Sequence, residues 1–307
     1  MYHKLKIKLI RIYECIYQKA YHVKHMFQTR FLYRLCIMSS EETIRHILKY
    51  KCSIARYGDG EFSQMIYNYN IGFQNHSDAL AQKLQENLCA RNNNLLICIP
   101  KYLVSLRKCN KNAREFWLKW GKKNNQQVRV TKLLQQCRGK RYIYGDALIT
   151  RPYIDLKSKK HADRIFPLLK QLWENKALLI IEGEQTRLGV GNDLFSNAKS
   201  IRRILAPAKN AFDSYDEIKT AVLNNWSGEL VLLALGPTAT VLAADLSKEG
   251  IQALDVGHMD IEYEWFLRNA TEKIVIHGKF SNELQKQVAT AECTDSTYLS
   301  QILLSIE

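Results

Sequence analysis

From residue 40 onward the chain alternates between two hydrophobic periods. Short apolar runs of the kind that form buried strands lie at 53–57, 95–100, 141–145, 177–182, 230–235, 252–256 and 273–277. Segments with helical spacing lie at 78–91, 111–123, 163–175, 214–224, 238–249 and 281–291. Strands alternating with helices predict parallel pairing through crossover connections. The expected fold is α/β: a Rossmann-like, doubly wound, mostly parallel sheet flanked by helices. Ligands bind such sheets outside the carboxyl ends of the strands, so the residues that follow each run are where chemistry is expected.

The first 38 residues read differently. Leu5, Leu9, Ile12, Tyr13 and Ile16 recur at helical spacing with Lys and Arg between them, and Tyr17, Tyr21, Phe27, Phe31 and Tyr33 add aromatic bulk. A basic amphipathic helix over 4–35 is expected, and two settings suit it: an anionic membrane surface, or packing on the main domain or a partner. Two units follow, a segment 1–38 and a domain 39–307. Within the domain, 101–141 is low in strand character and reads as a basic helical insertion.

Charge sharpens that division. Of a formal net charge of +15 over 307 residues, 1–35 carry +7 and 101–141 carry +12, leaving the remainder slightly acidic. Such patches attract phosphates, whether on lipid, nucleic acid or a small substrate. No run reaches the roughly 18 apolar residues of a membrane span. Lys4, Lys6, Lys8 and Arg11 interrupt what would be a signal peptide's apolar core. The eight cysteines include no C-x-x-C pair, so reduced thiols and a cytoplasmic location are expected, with the inner face of the cell membrane within reach of residues 4–35.

Four constellations follow strands. Arg56-Tyr-Gly-Asp-Gly-Glu61 is a glycine-flanked acidic turn. Asp59 and Glu61 stand one residue apart and repel unless a cation lies between them, and a hard divalent ion bridging to a diphosphate would suit them. Arg56 is placed to neutralise phosphate or to pair with an acid, and Gly58 lets the backbone bend. The plain alternative is an Asp-Gly turn at a strand end. The loop 182–193 carries Arg187, Gly189, Gly191, Asn192 and Asp193, groups that suit close backbone approach and hydrogen bonding to a nucleotide; an ordinary strand-to-helix loop reads the same way. At 232–240 a strand ends at Gly236, Pro237 suits a first helical turn, and Thr238 suits a cap. A helix N-terminus would then face the crevice and favour an anion, although a turn and nothing more needs the same residues. Finally, 255–265 gathers Asp255, His258, Asp260, Glu262 and Glu264. One of these acids suits deprotonation of a hydroxyl, while His258 is a base, a phosphate donor or a core residue. Lys199, Arg202 and Arg203 are expected on a helix after the glycine loop, touching phosphate or lining a solvated face.

The runs RYGDGEF, GDALITRPY, EGEQTRLGVGNDLF, SIRRILAP, LGPTATVLAADL and GHMDIEYEW, in that order, resemble the GT-D family of bacterial glycosyltransferases. The resemblance covers about 40–285 and leaves the first 38 residues outside it. It implies a GT-D type fold that binds a UDP-sugar with Mn²⁺ or Mg²⁺. By that likeness Asp59 and Glu61 match the family's Asp-x-Glu pair and would hold metal and diphosphate. His258, Asp260, Glu262 and Glu264 match its His- and Glu-containing segment, with Glu264 as general base and His258 near the donor. Tyr57 stands where relatives often have Phe. The implied function is transfer of a hexose, from UDP-glucose or a similar donor, to a glycan acceptor in cell-surface polysaccharide or glycoprotein synthesis, the acceptor often being lipid-linked.

Two rivals use the same residues. A metal-dependent nucleotide-sugar phosphohydrolase would employ the same acids, but histidine is scarce near Asp59. A nucleic-acid module would use 101–141, with Phe116, Trp117 and Trp120 stacking bases. The acidic loops weigh against it, and nucleic acid is not an expected partner.

Overall fold

The computed structural model describes residues 35–139, 141–280 and 292–307, together with residues 12, 13, 16, 17, 19–21, 23 and 24. Among them, nine strands form one sheet: β1 (Cys36–Ile37), β2 (Ser53–Arg56), β3 (Leu95–Ile99), β4 (Ile143–Asp146), β5 (Ala177–Gly183), β6 (Ser200–Ala206), β7 (Leu230–Ala234), β8 (Ala253–Asp255) and β9 (Ile302–Ser305). Their order is β1-β4-β3-β2-β8-β7-β5-β6-β9, and every pairing is parallel. The helices are α1 (Ser40–Tyr50), α2 (Asp59–Tyr67), α3 (Asp78–Cys89), α4 (Lys111–Lys122), α5 (Gln126–Arg138), α6 (Ala162–Lys170), α7 (Tyr215–Asn225), α8 (Pro237–Lys248), α9 (Met259–Leu267) and α10 (Ser296–Gln301).

Both sheet faces are covered, which is why the central strands read as unbroken apolar runs. Successive side chains still divide between the faces. Leu179, Ile181, Val231 and Leu233 join one core with α3, α4, α5, α7 and α8. Leu178, Ile180, Leu230 and Leu232 join the other with α1, α6 and α9. Each fully buried Leu or Ile contributes about 1.5–3 kcal/mol, and truncating Leu232 to Ala would cost about 2–5 kcal/mol because the collapse around it is incomplete.

The strand order places the ligand crevice. From β2 the chain steps outward to β3 and β4, then crosses to the other half and returns to β8, which pairs with β2 through Ile54 and Leu254. Such a reversal opens a crevice at the carboxyl ends of the two strands. Local sequence fixes the elements around it. Ser39 and Glu42 form a reciprocal cap at the start of α1. Gly236 has φ +57°, and a Cβ there would overlap the Phe73 ring, so only glycine lets the chain leave β7 and enter α8 at Pro237.

Several expectations are corrected. The segment carrying Arg202 and Arg203 is strand β6, not a helix, and Lys199 precedes it. Ile201 and Ile204 face the two sides of a sheet there, and the cations are absorbed by ion pairs rather than by solvent. Residues 273–277 form no strand; β9 covers the β6 side of the sheet instead. The helix expected at 281–291 lies outside the described residues. Trp117 and Trp120 are buried in the core, so they are not free to stack bases. Cys89 and Cys137 are joined between α3 and α5, against the expectation of reduced thiols throughout; both side chains sit on helices that pack together.

Residues 101–141 hold α4 and α5, which pack against each other and against the sheet core. The described residues between 12 and 24 are helical. Tyr21 donates its hydroxyl proton to the Gly121 carbonyl at 3.1 Å, and the Lys122 amine lies over the Tyr17 ring. The two basic regions of the sequence therefore meet at the end of α4. Among the described residues no helix is long and apolar enough to cross a membrane.

Candidate active site

A cavity of about 770 Å³ opens at the carboxyl ends of the strands. Its floor is the β2–β8 seam: Arg56, Gly58, Asp59, Gly60 and Glu61 after β2, and Gly257, His258 and Asp260 after β8. On one side stand the ends of β5 and β7, with Gly183, Thr186, Leu188 and Gly236. On the other stand the segments after β3 and β4, with Tyr102, Asn112, Phe116, Arg151 and Asp155.

Asp59 and Glu61 occupy the first turn of α2, where the partial positive charge of the helix start favours anions. The Glu61 carboxylate accepts the Gly58 N–H at 2.7 Å. Burial pushes the Glu61 carboxyl up to about 7; the Gly58 N–H works against that rise, while Asp255 and Asp59 add to it. No described cluster of three or more His, Cys, Asp or Glu side chains could hold a metal by itself. A two-carboxylate site completed by substrate phosphates and water is the form that Mg²⁺-like ions commonly take, and two acids on one helical turn fit it.

Arg56 is committed elsewhere. Its Nη2 donates to Asp255 Oδ1 at 2.8 Å, its Nε to the Asp255 carbonyl at 2.8 Å, and its Nη1 to Thr150 Oγ1 at 2.8 Å. It lines the cavity as a clamp between β2 and β8, pairing with an acid rather than standing ready for phosphate.

The acids of α9 divide into separate duties. Glu262 is wholly buried, and its Oε2 accepts the N–H groups of Tyr153 and Ile154 at 3.0 and 2.9 Å, which anchors the loop after β4. Asp260 lines the cavity. Its Oδ1 accepts from the Gly189 N–H at 3.0 Å and the Asn192 amide at 2.7 Å, and Lys279 sits 2.6 Å from its Oδ2. Burial pushes Asp260 upward and Lys279 opposes that. Glu264 lies one turn further on, outside the cavity wall. It accepts from Asn192 at 2.7 Å and Lys279 at 3.2 Å on Oε1, and from both Nε and Nη2 of Arg268 on Oε2. Burial raises its pKa, but the Asn192 amide, Lys279 and Arg268 outweigh burial and hold the carboxyl below its ordinary range. A carboxylate offers about four lone-pair sites. Those of Glu264 are all engaged, whereas Asp260 keeps one. In this geometry Glu264, the expected base, lies outside the cavity wall with its oxygens engaged by donors, whereas Asp260 is on the wall.

The glycine loop is also largely scaffold. Arg187, Gly189, Gly191, Asn192 and Asp193 stand outside the cavity wall, although Thr186 and Leu188 are on it. Arg187 donates to the Gly278 carbonyl, Asn192 bridges Asp260 and Glu264, and Asp193 pairs with Lys170 and Tyr263. The backbone at Gly189 is approached by the Phe195 ring, not by an open ligand space. Beneath the loop, Arg203 pairs with Glu182 at 2.5 Å and donates to the Leu188 carbonyl at 2.9 Å. His258 and Gly236 line the cavity as expected. Thr238 does not: its hydroxyl is buried at the start of α8 with no hydrogen-bond partner among the described residues, and it caps nothing. Lys279 was not anticipated. A GKF run between weakly patterned segments carries no signal of a buried cation.

Comparison with known proteins agrees with this architecture. The family model described as "Glycosyltransferase GT-D fold" matches residues 54–284. The chain is 38% identical over 274 residues to the probable glycosyl transferase Gly of Streptococcus gordonii, covering 89% of this chain and 39% of that protein. It is 34% identical over 267 residues to the glycosyltransferase GlyD of Streptococcus pneumoniae serotype 4, covering 87% of this chain and 32% of that one. The chain thus spans well under half the length of these relatives. Among solved structures, the domain of unknown function 1792, described as having a distinct glycosyltransferase fold, superposes with a TM-score of 0.85 at 36% identity, covering 93% of this chain and all of that one. A second, described as a new glycosyltransferase from Streptococcus sanguinis, gives 0.81 at 36% identity over 89% of this chain and all of that one.

Proposed function

This chain belongs to the GT-D family of glycosyltransferases, and from that membership we propose that it transfers a hexose from a UDP-sugar to a glycan acceptor with the help of a divalent cation. The observation that carries the reading is the position of Asp59 and Glu61. They lie on the first turn of α2, at the β2–β8 seam, on the floor of a cavity onto which the start of α8 opens at Gly236.

In this reading Asp59 and Glu61 hold Mn²⁺ or Mg²⁺ together with the donor's diphosphate. When bound, the cation neutralises charge on the departing UDP. The start of α8, which opens onto the cavity at Gly236, adds a second anion-binding element. Gly183, Thr186 and Leu188 pack along the nucleotide. Asp260, facing the cavity with a lone pair to spare, takes the proton of the acceptor hydroxyl. Glu264 is a positioning residue, since it holds the Lys279 and Asn192 groups that set the Asp260 carboxylate. His258, at the start of α9, lies against the donor.

The acceptor belongs to cell-surface polysaccharide or glycoprotein synthesis and is presented at the inner membrane face, where the basic helix preceding the domain would hold the enzyme. The deciding experiment is calorimetric titration of UDP with and without Mn²⁺. Asp59→Ala and Glu61→Ala should each abolish the metal-dependent part of binding. Unchanged affinity in both variants would overturn the assignment.

A further inference from the structure

The strand order divides the cavity into unlike halves, and only one suits a nucleotide diphosphate. The β5–β7 half is lined by small and apolar residues, Gly183, Ala208, Ala234 and Gly236 among them, and by the start of α8, where phosphates are favoured. The β3–β4 half presents side chains: an exposed aromatic ring, an exposed amide and an ion pair.

The ring is Phe116, on α4. It is 50% exposed while lining the cavity. It is also held in place: it packs edge-on against Trp117 at 5.7 Å, and Trp117 packs against Tyr102 and Trp120 at 5.4 and 5.2 Å. A ring braced by a buried aromatic stack, with its own face open to a cavity, is a preformed platform. One helical turn before it stands Asn112, on the same face of α4 and exposed. Its amide has no hydrogen-bond partner among the described residues. Asn110 makes the contrast, because it caps α4 by accepting the Ala113 N–H and donates to the Ile154 carbonyl. In the same half Arg151 pairs with Asp155 at 3.0 Å, a planar donor and a planar acceptor side by side.

Pyranose rings present a C–H face that lies on an aromatic ring, and a rim of hydroxyls that both donate and accept. Amide, guanidinium and carboxylate groups meet such a rim in both roles. We propose that Phe116 and Asn112, with the Arg151–Asp155 pair, form the subsite for the acceptor's terminal sugar, a neutral pyranose with Phe116 beneath its apolar face. The subsite rests on the glycosyltransferase reading above and deepens it by assigning the half of the cavity that the donor does not use. The Asp59–Glu61 and His258–Asp260 pairs lie at the seam, where donor carbon and acceptor oxygen must meet.

The test uses the full chain and a panel of methyl glycosides of glucose, galactose and N-acetylglucosamine. Saturation-transfer NMR on the enzyme without donor should detect at least one of them, with the strongest effect on ring C–H protons. In Phe116→Ala the affinity should fall by about tenfold, Phe116→Tyr should restore it, and Asn112→Ala should weaken it. UDP affinity in the presence of Mn²⁺ should stay within about twofold in every variant, marking the site as separate from the donor half. No saturation transfer to any glycoside on wild type, or equal transfer on Phe116→Ala, overturns the subsite. A fall in UDP affinity in Phe116→Ala also overturns it, because the ring would then stack on the donor's base. If instead the glycosides bind as stated while wild type shows no metal-dependent UDP binding, the donor reading fails and the sugar subsite stands.

Discussion

Arg56 of β2 and Asp255 of β8 lock the two strands at the point where the sheet order reverses. The guanidinium donates to both the carboxylate and the carbonyl of Asp255 at 2.8 Å, and Asp255 is almost wholly buried. Gly257, at φ +49°, passes so close to Arg56 that a Cβ would overlap the guanidinium. The Asp59–Glu61 turn and the His258–Asp260 turn hang from opposite ends of this clamp, so it sets the spacing between them.

Removing Asp255 leaves a mostly buried guanidinium with no carboxylate. Asp255→Ala should therefore destabilise the fold by about 3–5 kcal/mol, read as a lower urea midpoint with an unchanged m-value. A loss under about 1 kcal/mol would mean that water replaces the carboxylate and that the clamp is a surface feature.

On the proposed metal role of Asp59 and Glu61, cation binding should depend on pH through Glu61. Its carboxyl is pushed up to about 7 against an ordinary 4.5, chiefly by burial. Binding a cation requires the ionised form, so the proton must leave first. Mn²⁺ affinity should rise as pH climbs toward about 7 and level off above it, with proton release detectable by calorimetry in buffers of different ionisation enthalpy. For the metal-free protein the sign is opposite. The neutral carboxyl's contribution to stability is complete below pH 4.5 and is lost as pH rises through about 7. In Glu61→Gln that pH dependence should vanish. Persistence of the same profile in this variant would assign it to another group.

On the proposed roles, Asp260 is the base and Glu264 its support. Asp260→Asn should lower kcat by about 10²–10⁴ with UDP affinity retained. Glu264→Gln keeps the shape but weakens the grip on Lys279 and Arg268. It should lower kcat less and shift the acid limb of the pH–rate profile, which a purely structural residue would leave in place. If Glu264→Gln abolishes turnover and Asp260→Asn does not, Glu264 is the base, and Lys279 must swing away on substrate binding.

The parts legible in the sequence are those whose signal is local. Continuous apolar runs at 177–182 and 230–235 announced β5 and β7 because strands covered on both faces need no polar alternation. The glycine-flanked acids after 53–57 announced the cavity floor because a tight bend and two charges are neighbours in sequence. What was not legible depends on distant partners. Arg202 and Arg203 looked helical because their charges suggest a solvated face. Glu229 and Glu182 neutralise them inside a sheet, and neither acid is near in sequence. Asn192, Asp193 and Gly189 looked like ligand groups, yet their partners are Asp260, Glu264, Lys170, Tyr263 and Phe195. Lys279 reaches Asp260 across 19 residues from a segment without clear period.

The basic helix before the domain yields the last prediction. At 3.6 residues per turn, Ile12, Ile16 and Val23 fall within about 40° of one another, and Tyr21 lies roughly opposite. Tyr21 faces the domain through Gly121, so the Ile12–Ile16–Val23 stripe points away from it, and all three side chains are well exposed. The contact also brings the described helical residues, Lys19 and Lys24 among them, beside the basic segment 101–141. An apolar stripe flanked by that charge matches an anionic bilayer, where each nearby Lys or Arg contributes about 1 kcal/mol. The full chain should co-sediment with phosphatidylglycerol-containing vesicles and not with pure phosphatidylcholine, and about 0.5 M salt should release much of it because the attraction is screened. Ile16→Glu and Val23→Glu should each weaken binding while leaving UDP affinity intact. Equal sedimentation with both vesicle types, or none with either, would mean that the stripe meets a protein surface instead, and a concentration-dependent dimer lost in the same variants would identify that surface as a second copy of the chain.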